Sequence, residues 1–164
     1  MLKFGSDNEC FEGAPFIIGI SDDNNNRLSI KISAAVKGEN DCGDKTDCEE
    51  LDKILSSAYP ICPDEDNVYE IIFERYILYL TRNESYCASD EHDIWEGRFL
   101  IKYSRSALLD ILPVLTECQK LSDGTFYPGE WKHFGISSQN HTVDIITEYD
   151  PLIIPCRKAS GVDF

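Results

Sequence analysis

Leu28-Ser29-Ile30-Lys31-Ile32-Ser33-Ala34-Ala35-Val36 places an apolar side chain at every second residue. Leu28, Ile30, Ile32, Ala34 and Val36 share one parity, and Ser29, Lys31 and Ser33 take the other. Successive side chains on a strand point to opposite faces, so this period of two marks a strand with one buried face. Upstream, Phe16-Ile17-Ile18-Gly19-Ile20 reads as a second short strand. Between them lies Asp22-Asp23-Asn24-Asn25-Asn26, a turn former because Asn and Asp tolerate left-handed backbone. Residues 16–36 are therefore predicted to form a β-hairpin.

Working outward, residues 38–47 are polar and broken by Gly38, Asn40 and Gly43, and they deliver a helix start. Thr46-Asp47-Cys48-Glu49 has the spacing of a capping box, in which a hydroxyl and a carboxylate satisfy orphan amides. Leu51, Ile54, Leu55 and Ala58 then fall on one helical face, and Pro60 stops the helix. Residues 68–82 fit either period. Their density of β-branched and aromatic side chains favours a strand. Trp95 to Tyr103 alternates as a single strand. Ser104 or Ser106 caps a second helix with Leu108, Ile111, Leu112 and Leu115 on one face and Pro113 kinking it. Ser122-Asp123-Gly124 and Pro128-Gly129 are turns. Strands at Trp131–Ile136 and Val143–Tyr149 complete the order β-β-α-β-β-α-β-β. That order predicts a single-domain α+β fold, an antiparallel or mixed sheet packed by two or three helices, with residues 1–14 and 157–164 frayed.

The chain has 164 residues, 42% of them apolar, enough to bury roughly two thirds of its extended surface without a metal or disulfide. The opening residues lack the basic start and apolar run of a signal peptide, and no apolar run reaches the ~18 residues of a membrane span. A cytoplasmic location is the expectation. Seven cysteines, an odd number without a CxxC, read as small apolar residues in a reducing compartment. Two N-glycosylation patterns, at Asn83 and Asn140, have no secretory context to give them meaning.

Charge is the strongest compositional signal. Thirty acidic residues oppose fifteen basic ones, a formal net charge of -15. Such a field repels nucleic acid and anionic membranes and accelerates encounter with basic surfaces. The acids come in blocks. Glu39, Asp41, Asp44, Asp47 and Glu50 fall in one, Asp64, Glu65 and Asp66 in another, and Asp90 to Asp93 in a third. With Asp22 and Asp23 they are the candidate partner-binding residues, because they concentrate in expected loops, where binding groups are usually carried. A solvated face with helix-dipole benefit is the plainer account of the same charges.

The sequence predicts no catalytic residue, no metal ligand and no cofactor. Gly-x-Ser-x-Gly and the phosphate-binding glycine loops are absent. Any Cys–His dyad drawn from seven thiols and His92, His133 and His141 is a coincidence of composition. The Asp22–Asn26 cluster fails as a calcium loop, since Arg27 stands where an EF-hand needs glycine and Ser33 where it needs glutamate.

Asp123-Gly124-Thr125-Phe126-Tyr127-Pro128-Gly129-Glu130-Trp131-Lys132-His133-Phe134-Gly135-Ile136, followed by Asn140-His141-Thr142-Val143-Asp144-Ile145-Ile146, resembles bacterial immunity proteins of contact-dependent growth inhibition and related polymorphic toxin systems. Tyr69–Phe73 and Asn83–Tyr86 are similar to the same proteins. The resemblance covers residues 69–147, and residues 1–66 carry none. It implies a cytosolic protein that binds the C-terminal domain of a cognate toxin, a basic nuclease, and covers its active site without chemistry of its own. An acidic inhibitor suits such a surface. The alternatives are a small cysteine- or metal-dependent enzyme and an acidic DNA mimic.

Overall fold

The expected hairpin is present in a computed structural model, which describes residues 2–39, 47–88 and 90–156. In chain order the elements are β1 (Phe16–Asp22), β2 (Leu28–Lys37), α1 (Glu49–Ser57), β3 (Ile61–Phe73), β4 (Tyr76–Asn83), β5 (Ile94–Glu96), β6 (Leu100–Arg105), α2 (Ala107–Leu115), β7 (Gln119–Lys120), β8 (Phe126–Tyr127), β9 (Lys132–Ser137), β10 (His141–Thr147) and β11 (Leu152–Cys156). The β1–β2 turn is closed by Asp23, whose carboxylate accepts from the Asn25 and Arg27 amides at 2.8 and 3.1 Å, with Asn26 at φ 58°. Leu28, Ile30 and Ile32 are fully buried, as their alternation requires.

The fold is α+β, mostly sheet, with two short α-helices among the described residues and every pairing antiparallel. The strands divide into two principal sheets, ordered β1-β2-β3-β11 and β4-β10-β9-β6-β5, with a small β7–β8 ribbon. One core lies between them. Ile30, Ile32, Ile71 and Phe73 meet Leu100, Phe134, Ile136, Val143 and Ile145, and Phe4 stands edge-on to Phe134 at 5.0 Å. Leu2, Phe4 and Phe11 are buried in this core, so residues 2–14 pack rather than fray. Residues 157–164 lie outside the described part. A smaller cluster joins Leu112, Cys118 and Ile146 on the outer face of the second sheet, where α2 packs.

Several expected elements divide or shift. Residues 68–82 are two strands, because the chain reverses at Glu74–Arg75 and crosses between sheets there. Arg75 sits at φ 54°, a left-handed position that its residue type does not advertise. Trp95–Tyr103 is likewise a hairpin, β5 turning into β6 at Gly97. Gly97 has φ +87°, and a Cβ there would lie 2.5 Å from the Leu100 carbonyl. The N-cap of α1 is Cys48 and makes no side-chain cap bond; Thr46 lies outside the described residues. Ser106 caps α2, accepting from Leu109 N–H at 3.1 Å. The buried face of α2 is Leu108, Leu109 and Leu112, while Ile111 and Leu115 remain exposed.

Two hydrogen bonds align the sheets end to end. Asn140, in the β9–β10 turn, accepts from Ile17 N–H and donates to the Ile17 carbonyl at 3.1 and 2.9 Å. Ile17 pairs with Ile32, and His141 pairs with Asn83. The Asn83 and Ser137 ends of the second sheet therefore lie toward the end where β2 runs on to Lys37. At the other end Arg27 meets Glu74 at 3.0 Å and the Tyr76 hydroxyl donates to Asp22.

Candidate functional site

The outer face of the second sheet carries a polar row where an outward face would ordinarily be solvated. Along β10, Val143 and Ile145 point into the core, so Asp144 between them points out. Along β9, Phe134 and Ile136 point in, so His133 and Gly135 point out. Helix α2 and the side chains of Cys87, Ala88, Asp90 and Asp93 wall this face. The result is a cleft of ≈ 620 Å³ running from Ser106 and His133 to Thr142, Ser137 and Arg98. Leu80, Trp95, Ile101, Tyr103 and Ile111 supply its apolar lining.

Its floor is one continuous hydrogen-bonded chain. Asp144 is buried, with Oδ1 3.1 Å from His133 Nε2, and Oδ2 accepting from Arg82 Nη2 at 2.6 Å. His133 Nδ1 stands 2.7 Å from Ser106 Oγ. Burial works against the Asp144 carboxylate, but the hydrogen bond from His133 and the charge of Arg82 outweigh it and hold its pKa below the ordinary carboxylate value. An ionised Asp144 can only accept, so with the ring neutral Nε2 carries the proton and Nδ1 accepts from the Ser106 hydroxyl. The Tyr103 ring stacks on His133, 4.0 Å between centroids and 8° from parallel. Gly135 makes room for it, since a Cβ there would lie 3.0 Å from the Tyr103 ring. Burial pushes the Tyr103 hydroxyl up to about 12, with the Asp144 charge adding to it, so the phenol stays protonated at neutral pH.

A hydroxyl, an imidazole and a carboxylate in series are also the parts of a nucleophilic site. Here their other valences are committed. Ser106 Oγ caps α2, and the neighbouring Ala107 N–H donates to Asp93 Oδ1 at 2.8 Å. The Asp93 carboxylate thus occupies the amide nearest the hydroxyl, where an acyl-transfer site needs free donors for a developing oxyanion. The chain of bonds fixes the shape of the cleft.

The candidate acidic residues do not form one patch. Asp90 and Asp93 line the cleft wall. Asp90 accepts from the His92 amide at 2.8 Å and from its ring at 2.9 Å, which lowers its pKa. Glu39, Asp47 and Glu50 are exposed, and Glu39 lies two residues past the end of β2. Asp64, Glu65 and Asp66 are a correction: they belong to β3, not a loop. There the register jumps from Pro63 opposite Ala35 to Val68 opposite Ser33, which expels residues 64–67 as a bulge. Asp22 and Asp23 lie at the opposite end, roughly 30 Å of strand away, engaged by Tyr76 and by their own turn. They are separated from the rest. Asp41 and Asp44 lie outside the described residues.

Arg82, Tyr103, Ser106, His133 and Asp144 are not among the site residues that the sequence predicts. The one available signal was a charge inside the apolar run Val143-Asp144-Ile145-Ile146, since an acid on a strand between core residues needs a partner. Among the described residues no three His, Cys, Asp or Glu side chains converge as a metal site, no disulfide joins the cysteines, and no helix is long and apolar enough to cross a membrane. Comparison with protein-family models, with curated proteins and with solved structures finds no match.

Proposed function

We propose that this chain is an immunity-type binding protein that holds a basic toxin domain, a nuclease, against its acidic surface and covers that domain's active site. The observation that carries the reading is the cleft. One acidic block of the sequence, through Asp90 and Asp93, forms the wall of a preformed recess lined by Trp95 and Tyr103 over a bonded floor. Aromatic side chains beside fixed charge in a concave surface are the makings of a binding hot spot. The excess of fifteen negative charges supports a basic partner, and the resemblance of residues 69–147 supports a toxin. The cytosol, where such a toxin acts, is the proposed location.

The test is to read the gene immediately upstream and to co-express the C-terminal domain it encodes with this chain. Growth rescue and a stoichiometric complex on size-exclusion chromatography are expected. A toxin that still kills, with no complex formed, overturns the reading.

The Ser106–His133–Asp144 series favours a second reading, a serine hydrolase. A fluorophosphonate probe separates the two. Ser106 is expected to stay unlabelled, and Ser106→Ala to lower stability by about 2 kcal/mol through the lost cap and the orphaned His133 ring nitrogen while leaving rescue intact. Stoichiometric labelling of wild type, abolished in Ser106→Ala, establishes the hydrolase instead.

A further inference from the structure

Helix α1 presents Leu51, Ile54 and Leu55 at i, i+3 and i+4, the spacing that aligns side chains on one face. They are 43%, 64% and 46% exposed. A nine-residue helix gains little from propensity alone and ordinarily forms by burying such a face. In α2, of equal length, Leu112 is fully buried against the second sheet. Just past the helix Tyr59 and Ile61 are also exposed. Lys37 places its ammonium 3.4 Å from the centre of the Tyr59 ring, and the Gly38 amide donates to the Pro60 carbonyl at 2.8 Å, so the segment after the helix is tied to the end of β2. Glu39, Asp47, Glu49 and Glu50 are exposed around it. An apolar strip on open surface with a charged surround marks an interaction site.

We infer that this strip anchors an amphipathic, basic segment of a protein partner. Leucine-like side chains of the segment seat on Leu51, Ile54 and Leu55, and its Lys or Arg residues face the surrounding carboxylates. The inference deepens the proposed function and rests on it for the basic sign of the partner. A second copy of this chain is the wrong occupant on electrostatic grounds. It would bring an identical acidic surround, and a second net charge of -15, against the first.

Two synthetic helical peptides of equal charge test this by fluorescence anisotropy at physiological salt. One carries Lys on one face and Leu on the other, and its companion replaces every Leu with Gln. The wild-type chain is expected to bind the Lys/Leu peptide at least tenfold more tightly. Leu51→Gln, Ile54→Gln and Leu55→Gln together, with helix-compatible polar residues, should erase that preference while leaving the circular dichroism spectrum and Tm nearly unchanged. Equal affinity of wild type for both peptides, or a preference kept by the triple variant, overturns the inference. So does concentration-dependent dimerisation of wild type that the triple variant lacks. Toxin rescue without a Lys/Leu preference would sink this inference alone. A Lys/Leu preference without toxin rescue would sink the toxin reading alone.

Discussion

Asp144→Ala is expected to lower the unfolding free energy by about 2–3 kcal/mol, read as a shifted urea midpoint with an unchanged slope. The side chain is 3% exposed and links His133 to Arg82 in the hydrogen-bonded floor. Removing it leaves a buried imidazole N–H without its acceptor and an arginine without its counter-ion, and Arg82 Nε already has no partner among the described residues. The cost of orphaned buried groups exceeds what the intact pair adds. The pH dependence has a fixed sign. The Asp144 carboxyl is held below its ordinary value, so its contribution is complete above the unfolded value of ~3.9 and is lost as pH falls through the lower folded one. Below pH ~4 the gap between wild type and Asp144→Ala should therefore narrow. A variant within about 1 kcal/mol of wild type at neutral pH would mean that the floor does not hold the cleft in shape.

The parts of this fold that were legible are those where a strand turns one face to the main core. β2 alternates from Leu28 to Ile32 because the core lies on one side of it, while β9 and β10, buried on both faces, keep a period of two in Phe134 and Ile136 and in Val143 and Ile145, which share the main core. The Glu74–Arg75 reversal was not legible, because neither residue is Gly, Asn or Pro and the bend is imposed by the two sheets on either side. Gly97 was visible but lies inside a run whose alternation continues through it. β11 is five residues added to the edge of β3, too short and too mixed to stand out. Helical spacing aligned Leu51, Ile54 and Leu55 on α1 but misplaced the face of α2, where Leu109 turns in and Ile111 and Leu115 stay exposed, and spacing cannot say what covers a face. In α2 the sheet covers Leu108, Leu109 and Leu112; in α1 Leu51, Ile54 and Leu55 stay open. The cleft escaped for a related reason. Arg82, Ser106, His133 and Asp144 are spread over sixty-odd residues and meet only through strand register, with Ile146 opposite His133 and Leu80 opposite Asp144.

Association with a basic partner should slow steeply with salt. An acidic chain of net charge -15 raises the encounter rate through its long-range field, an effect of ~10–10³-fold in steered complexes. Added salt shortens the reach of that field from ~10 Å at 0.1 M to ~3 Å at 1 M. Dissociation should change less, because contacts already formed are short-range and partly shielded from ions. Position matters as well as total charge, and two variants separate them. Glu39→Gln, Asp47→Asn and Glu50→Gln neutralise carboxylates around α1, whereas Asp22→Asn, Glu74→Gln and Asp150→Asn neutralise carboxylates away from it. Each set removes three negative charges, taking -15 to -12. Each exposed carboxylate contributes under about 1 kcal/mol, so the fold should survive both. Stopped-flow kinetics across a salt series, with the basic domain recovered by co-expression as partner, should show the first set slowing association several-fold and the second far less. Equal slowing by both sets would assign the effect to net charge and leave the interface undefined. An association rate indifferent to salt and to both sets would remove electrostatic docking altogether, and the acids would then serve to keep the chain dispersed, with binding left to the aromatic and apolar lining of the cleft.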